Sequence, residues 1–301
     1  MSILTLGRHT FRWGAQTYVM GILNVTPDSF SGDGLLSLAP QSEDWVELAV
    51  AQGQRFVAEG AHILDVGGES TRPGSQPVDA EEELRRVLPV IERLAATVDV
   101  PISVDTSKSA VAEAALRAGA VIVNDVWGFR LDPAIAEVTA RHGAAAVLMH
   151  NRSRREHVSI DPALGGMYLG AEYGDVVADV AAELRISIEL ARRAGVPDDH
   201  IILDPGLGFG KSVAQNLELL DRLGELRSLG YPLLVGPSRK SFIGYTLGLP
   251  PDQRVEGTAA TVAIAIARGA DIVRVHDVQA MARVARMADA VVRRGVSVGA
   301  H

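Results

Sequence analysis

The chain contains no cysteine. A disulfide framework, thiolate metal sites, iron–sulfur clusters and a cysteine nucleophile are thereby excluded. No apolar run reaches the roughly 18 residues that cross a membrane, and Met1–Trp13 is too polar for the core of a signal peptide. No Pro-, Gly- or Ser-rich linker divides the sequence, and no tract is of low complexity. Lysine is scarce, occurring only at Lys108, Lys211 and Lys240. A high-GC genome produces that bias without a functional cause, and it means that a basic site must be built mostly from arginine. Positive charge is also in deficit, with 29 basic against 37 acidic side chains and a net charge of −8. Such a balance argues against a general binder of nucleic acid or anionic membrane, while leaving room for a local basic pocket. What is present is 301 residues, 47% apolar and 22% charged, enough to bury a large core without staples. The expectation is one domain spanning residues 1–301 in a soluble, cytoplasmic enzyme or ligand binder.

A rhythm runs through the chain. Short runs rich in Val, Ile and Leu occur at 20–24, 62–66, 102–106, 121–125, 146–150, 201–205, 232–236 and 272–276. Between them lie stretches of helical period, among them Glu81–Ala96, Ser109–Ala118, Pro133–Arg141, Val176–Ala194 and Asn216–Leu229. Apolar strands without alternation imply burial on both faces, hence a parallel sheet flanked by helices. Eight such units predict an α/β fold of the closed (β/α)8 TIM-barrel type, in preference to a doubly wound open sheet. Ile3–Val19 breaks the rhythm and reads as a short N-terminal hairpin around Gly14, plugging the bottom of the barrel.

The ends of the eight runs carry polar residues: Asn24, Asp65, Asp105, Asn124–Asp125, His150, Asp204, Ser238–Arg239–Lys240 and His276–Asp277. Strand C-termini of such a barrel converge on one mouth, where ligands bind. Helix capping accounts for some of these residues, since Asp, Asn and Ser also start helices. Asp105, Asn124 and Asp204 end three strands and would share one space. Among apolar walls they need a donor-rich partner, and the edge of an aminopyrimidinone ring suits an ionised carboxylate. Internal salt bridges to arginine are the plainer reading. The stretch Asp204–Ser212 has neither Walker nor dinucleotide spacing, because Pro205 and Lys211 stand where those motifs need glycine. It reads as a flat loop on which a planar ligand can lie, or as a turn needing several positive φ angles. Ser238–Ser241 opens a helix near Arg274 and His276, a pattern that makes an anion site. A solvated helix start, or an imine-forming Lys240, are the other readings. Two polar loops, 26–34 and 67–74, read as lids or as ordinary connections. The run 152–174, with Arg154, Arg155 and His157, is assigned no chemistry.

Taken together, MGILNVTPDSFSGDG, GAHILDVGGESTRPGS, ISVDTSK, VNDVWGF, LMH, ILDPGLGFGKS, GPSRKSFIG and RVHDV resemble dihydropteroate synthases. The likeness runs from Val19 to Val278, in the same order and spacing. It implies a pterin-binding barrel, usually a homodimer and a sulfonamide target, in folate biosynthesis. That family is a transferase joining 4-aminobenzoate to 6-hydroxymethyl-7,8-dihydropterin pyrophosphate with Mg²⁺ assisting, and releases 7,8-dihydropteroate and pyrophosphate.

The resemblance implies the following roles. Asp105, Asn124 and Asp204 hold the pterin edge, Lys240 reaches the ring oxygen, and Met149 and Phe209 contact the ring. Asn24, Thr71, Arg274 and His276 bind the diphosphate, and Asn24 is the direct Mg²⁺ ligand, an oxygen donor for a hard cation. Phe30, Thr71, Arg72, Pro73 and Ser241 shape the aminobenzoate end. The catalytic set is then Asn24, Asp105, Asp204, Lys240, Arg274 and His276. Two stretches depart from the commoner family pattern, Ser31–Gly34 and Asn151–Arg152–Ser153. A methyltransferase acting on methyltetrahydrofolate, a pterin binder without catalysis and a sugar-phosphate barrel enzyme are the alternatives. The first has no use for a diphosphate corner, and the last leaves the two carboxylates unexplained.

Overall fold

The computed structural model describes residues 3–26, 45–154 and 156–293. Twelve strands occur among them: β1 (Ile3–Leu6), β2 (His9–Arg12), β3 (Tyr18–Asn24), β4 (Ile63–Gly67), β5 (Ile102–Asp105), β6 (Ile122–Asp125), β7 (Ala145–Met149), β8 (Val158–Asp161), β9 (Gly165–Tyr168), β10 (Ile201–Asp204), β11 (Leu234–Val235) and β12 (Ile272–Val275). Eight of these form one parallel sheet in the order β10-β7-β6-β5-β4-β3-β12-β11. The ring closes where Leu203 bridges Leu233 and its N–H donates to the Pro232 carbonyl at 3.0 Å. The eight apolar runs are these eight strands, and the fold is the expected (β/α)8 barrel.

Helices wrap the outside in the intervals after the strands. In chain order they are α1 (Trp45–Ala58), α2 (Ala80–Thr97), α3 (Ser109–Arg117), α4 (Ala134–Arg141), α5 (Val176–Ala194), α6 (Val213–Asp221), α7 (Ser241–Leu247), α8 (Val255–Ala267) and α9 (Val278–Val292). In α2, Asp79 caps the N-terminus and Val87, Val90, Ile91 and Leu94 turn one stripe to the barrel. The helical stretch expected over Asn216–Leu229 divides into α6 and a 3₁₀ segment, Leu223–Leu229. Gly224 within it weakens a continuous α-helix.

Strand parity explains the layers. Val19, Leu64, Val123, Ala146, Leu203, Val235 and Val273 point outward into the core shared with the helices. Met20, Ile63, Ile122, Val147, Ile202, Leu234 and Ile272 point inward and pack together low in the barrel. Two residues further along each strand the inward side chain sits a layer higher. There the parity presents Asp65, Asn124, Asp204 and Arg274, with Asp105 above Ser103.

The low layer is sealed by the N-terminal hairpin, β1 paired antiparallel with β2. Leu4, Leu6, Phe11, Trp13 and Tyr18 are buried in that inner cluster. The hairpin turns at Gly7, φ 57°, rather than at Gly14. Pairing of Leu6 with His9 leaves only Gly7 and Arg8 in the loop, so the positive φ falls on Gly7. Gly14, φ 84°, instead redirects the chain into β3.

Candidate functional site

At the other end of the strands lies a cavity of about 430 Å³. Asn24, Asp105, Asn124, Met149, Asp204, Arg274 and His276 line it from the strand ends, Thr71, Arg72 and Pro73 from the loop after β4, and Phe209, Lys240 and Ser241 from later loops. Phe30, and with it residues 27–34 of the first expected lid, lies outside the described residues. Four of the polar strand-end residues do not line the cavity, and one of them, Asp277, accepts from Arg239 at 3.0 and 2.7 Å. Asp65 is hidden beneath the cavity, Asp125 accepts from Ser107 and the Trp127 and Phe129 N–H groups, and His150 lies behind the wall against Lys211. Capping and loop support explain Asp125 and His150, as the plainer reading has it.

The polar layer is tightly paired. Arg274 donates through Nε to Asp65 and through Nη2 to Asp105, each at 2.6 Å, and Asn124 Nδ2 donates to Asp65 at 3.0 Å. Burial pushes the Asp105 carboxyl up to about 7, with Arg274 acting in the opposite direction. Burial also acts against the Arg274 charge, but the Asp65 and Asp105 carboxylates hold its pKa above the ordinary arginine value. Asp204 is raised by burial and opposed by the Gly206 N–H, which donates to it at 2.7 Å. Lys240 is brought down to about 7 by burial, although Asp204 and Asp105 favour its charge. Its Nζ donates to the Leu207 carbonyl at 2.7 Å and sits 3.9 Å from the centre of the Phe209 ring. Burial and the surrounding arginines keep His276 neutral, and its Nδ1 lies 3.0 Å from Ser238 Oγ.

The loop after β10 is both a special turn and a cavity wall. Gly206, Gly208 and Gly210 all have positive φ, at 70°, 83° and 66°. A Cβ on Gly206 would lie 1.9 Å from the His150 carbonyl oxygen, so no larger residue fits. Leu207, Gly208 and Phe209 face the cavity. Lys211 points the other way, fully buried, with Nζ on the Gly206 carbonyl at 2.8 Å, on Phe209 O at 3.2 Å and 3.0 Å from His150 Nδ1. A phosphate-reaching lysine would point outward; this one gathers carbonyls under the loop.

The arrangement sets two carboxylates and an amide at one side of a cavity and Arg274, Lys240, Arg239 and Arg72 around it. It can hold a flat ring rich in N–H donors together with an anionic tail. The sequence pattern of the pterin-binding enzyme family matches residues 20–276. The dihydropteroate synthase of Bacillus subtilis (strain 168) is 47% identical over 280 residues, covering 93% of this chain and 90% of that protein. The dihydropteroate synthase of Xanthomonas albilineans solved with 4-aminobenzoic acid superposes with a TM-score of 0.85 at 43% identity, covering 98% of this chain and all of that one. That of Clostridium difficile solved with pteroic acid gives 0.84 at 46% identity, covering 94% and 99%. The chain belongs to the dihydropteroate synthase family. The cavity-lining residues, from Ile22 to His276, fall inside the matched family region.

Within this dihydropteroate synthase fold, three contributors escape sequence reading. Asp65 was visible as a polar strand residue, but only the closed barrel brings it under Arg274. Arg254 is buried and donates to the Arg239 and Leu249 carbonyls at 3.0 and 3.1 Å and to Leu164 O at 2.6 Å, tying three loops together. It helps hold Arg239 at φ 55°; an arginine before an apolar helix gives no sequence signal for that. The third is the segment 152–174, which contains the β8–β9 hairpin. Its Leu164, Gly165, Gly166 and Tyr168 line the cavity. The loop after β4 is rooted by Lys108, which pairs with Glu69 and with Glu83 of α2.

Proposed function

We propose that the chain joins 6-hydroxymethyl-7,8-dihydropterin pyrophosphate to 4-aminobenzoate, giving 7,8-dihydropteroate and pyrophosphate. One observation carries this reading: Asp105 and Asp204 share a single cavity with Arg274, Lys240 and His276. Asp105, Asn124 and Asp204 take the amino-pyrimidinone edge, Lys240 the ring oxygen, and Met149 and Phe209 the ring. Arg274 has five N–H donors. Only two of its bonds go to Asp65 and Asp105, so others remain for the diphosphate beside His276, Asn24 and Thr71. Thr71, Arg72, Pro73 and Ser241 shape the aminobenzoate end.

The pterin methylene C–O bond breaks first, and its electron pair leaves with the diphosphate. Arg274 and neutral His276 stabilise the negative charge that develops there, while Asp105 and Asp204, once deprotonated, favour the positive pterin left behind. The aniline nitrogen then attacks with its lone pair and sheds its proton after the C–N bond has formed. No strong general base is required.

Mg²⁺ fits this site as a companion of the diphosphate. Among the described residues no group of three His, Asp or Glu side chains could hold a metal. Asn24 offers one hard oxygen donor at the end of β3, which suits an ion that keeps most of its waters and takes phosphate oxygens. Bound there, Mg²⁺ would supply charge neutralisation to the departing group. A homodimer is part of the same reading. Ile264 on α8 and Met287, Val291 and Val292 on α9 are exposed apolar side chains that a second copy would cover. So is a cytoplasmic setting; no described helix is long and apolar enough to cross a membrane.

The test is release of pyrophosphate by purified protein given the pterin substrate, 4-aminobenzoate and Mg²⁺. Release that depends on both organic substrates is the expected result. Binding of pterin without release under any combination overturns the synthase reading in favour of a pterin binder.

A further inference from the structure

Each of the three lysines stands at the mouth of the barrel, in a chain that otherwise draws its side-chain positive charge from arginine. Lys240 lines the cavity and Lys108 roots the loop after β4. Lys211 does neither, and is buried behind the cavity wall. Its Nζ reaches both ends of the Gly206–Phe209 turn, through the Gly206 carbonyl at 2.8 Å and the Phe209 carbonyl at 3.2 Å, and rests 3.0 Å from His150 Nδ1. A compact amine donates to both carbonyls with or without its third proton, whereas a planar guanidinium spreads its donors outward. Asn216 on α6 takes the middle of the same turn. Its Oδ1 accepts from the Gly208 N–H at 2.6 Å, and its Nδ2 donates to the Lys211 and Ser212 carbonyls at 3.1 and 2.8 Å. The groups that face the proposed pterin on this side all hang from that turn. The Gly206 N–H donates to Asp204, the Leu207 carbonyl accepts from Lys240, and the Phe209 ring lies beneath the Lys240 ammonium. Beside it stacks Tyr168, 6.1 Å between ring centres and 27° between planes, with its hydroxyl donating across the cavity to the Thr71 carbonyl at 3.1 Å. Glycines at 206, 208 and 210, all of positive φ, give the turn little shape of its own, so its conformation is set by what holds it.

We propose that Lys211 and Asn216 are positioning residues for the pterin, an internal clamp that holds the Gly206–Phe209 turn in its binding shape before the ligand arrives. Neither touches substrate; both act through Asp204, Lys240 and Phe209. Fixing the wall in advance raises affinity because binding no longer carries the cost of ordering it. The clamp serves the pterin alone, since Thr71–Pro73 and Ser241 of the aminobenzoate end belong to other loops. The inference rests on the placement of the pterin proposed above.

The experiment measures Kd for 6-hydroxymethyl-7,8-dihydropterin pyrophosphate by calorimetry, and KM for 4-aminobenzoate by pyrophosphate release at saturating pterin substrate. It uses the full chain as wild type, Lys211→Met and Asn216→Ala. In either folded variant the pterin Kd should rise about tenfold or more, while KM for 4-aminobenzoate stays within about twofold of the wild-type value. Amide hydrogen exchange in the ligand-free wild type covers the case in which neither variant folds. There Gly206, Gly208 and Phe209 should be as protected as β10. An unchanged pterin Kd in either folded variant, an equal rise for both substrates, or fast exchange of those three amides that slows only with pterin bound overturns the clamp. A wild type that binds the pterin but releases no pyrophosphate overturns the synthase reading and leaves the clamp to be judged by Kd and exchange. A wild type that does not bind the pterin overturns both.

Discussion

The two ends of the same eight strands are built on opposite principles. At the floor, Phe11, Trp13 and Tyr18 pack ring against ring, with centres 4.9 to 5.6 Å apart, over an inner layer without charge. At the mouth, one step up the same inward faces, Arg274 stands between two carboxylates and Lys240 lies over an aromatic ring. The floor gains stability from apolar burial and has no chemistry to offer. The mouth accumulates desolvated charges that neighbours only partly compensate, which is unfavourable for folding and useful for binding a charged ligand. Placing the two at opposite ends lets each be tuned without harming the other.

Arg274→Met should break that separation most severely. It leaves Asp65, completely buried, facing Asp105 with no cation between them. Loss of one partner from such a pair costs about 3–5 kcal/mol of stability. Turnover should fall about 10²–10³-fold besides, as when a charge-stabilising donor is removed. Pyrophosphate release and urea denaturation on one preparation check both effects, and an unimpaired enzyme would contradict them.

Phe11→Ala tests the floor. The side chain is 3% exposed. Its truncation should cost about 3–5 kcal/mol of unfolding free energy, as for other buried aromatic side chains. At a temperature where the variant remains folded, both Michaelis constants should stay at the wild-type values. A change in KM for the pterin substrate would show that the floor and the mouth are coupled.

A third test concerns Lys211, a charge without solvent. Burial lowers its pKa from 10.5 to about 7, despite Asp204 and Glu183. Between these values the unfolded chain holds the proton more tightly than the native one, so this residue's contribution to stability rises with pH. The Tm of the wild type minus that of Lys211→Met should be flat below pH 7 and move in favour of the wild type from pH 7 towards 10. Melting curves across that range check the sign; an opposite trend would mean that Lys211 stays charged beneath the loop.

Legibility in the sequence follows the same division. Strands buried on both faces appear as continuous runs of Val, Ile and Leu, and the polar residues ending them mark the mouth. Hence Asn24, Asp105, Asn124, Asp204, Arg274 and His276 could be placed together before any coordinates. The β8–β9 hairpin is hidden in the sequence because its four-residue strands are mostly half-buried and carry no apolar pattern. Sequence alone puts the hairpin turn at Gly14 rather than Gly7, because the choice between the two glycines rests on strand register, which is a matter of pairing rather than of local composition.

The order of strands and helices, the apolar inner and outer faces and the set of polar residues at the mouth were determined by the sequence, since each follows from periodicity or from neighbours along the chain. The sharing of Arg274 between Asp65 and Asp105, the burial of Lys211 beneath its loop and the bracing of Tyr168 across the cavity were decided by the tertiary structure. Those contacts join residues as many as 209 positions apart. They come into being only when barrel closure, strand parity and loop packing bring separate elements within hydrogen-bonding distance.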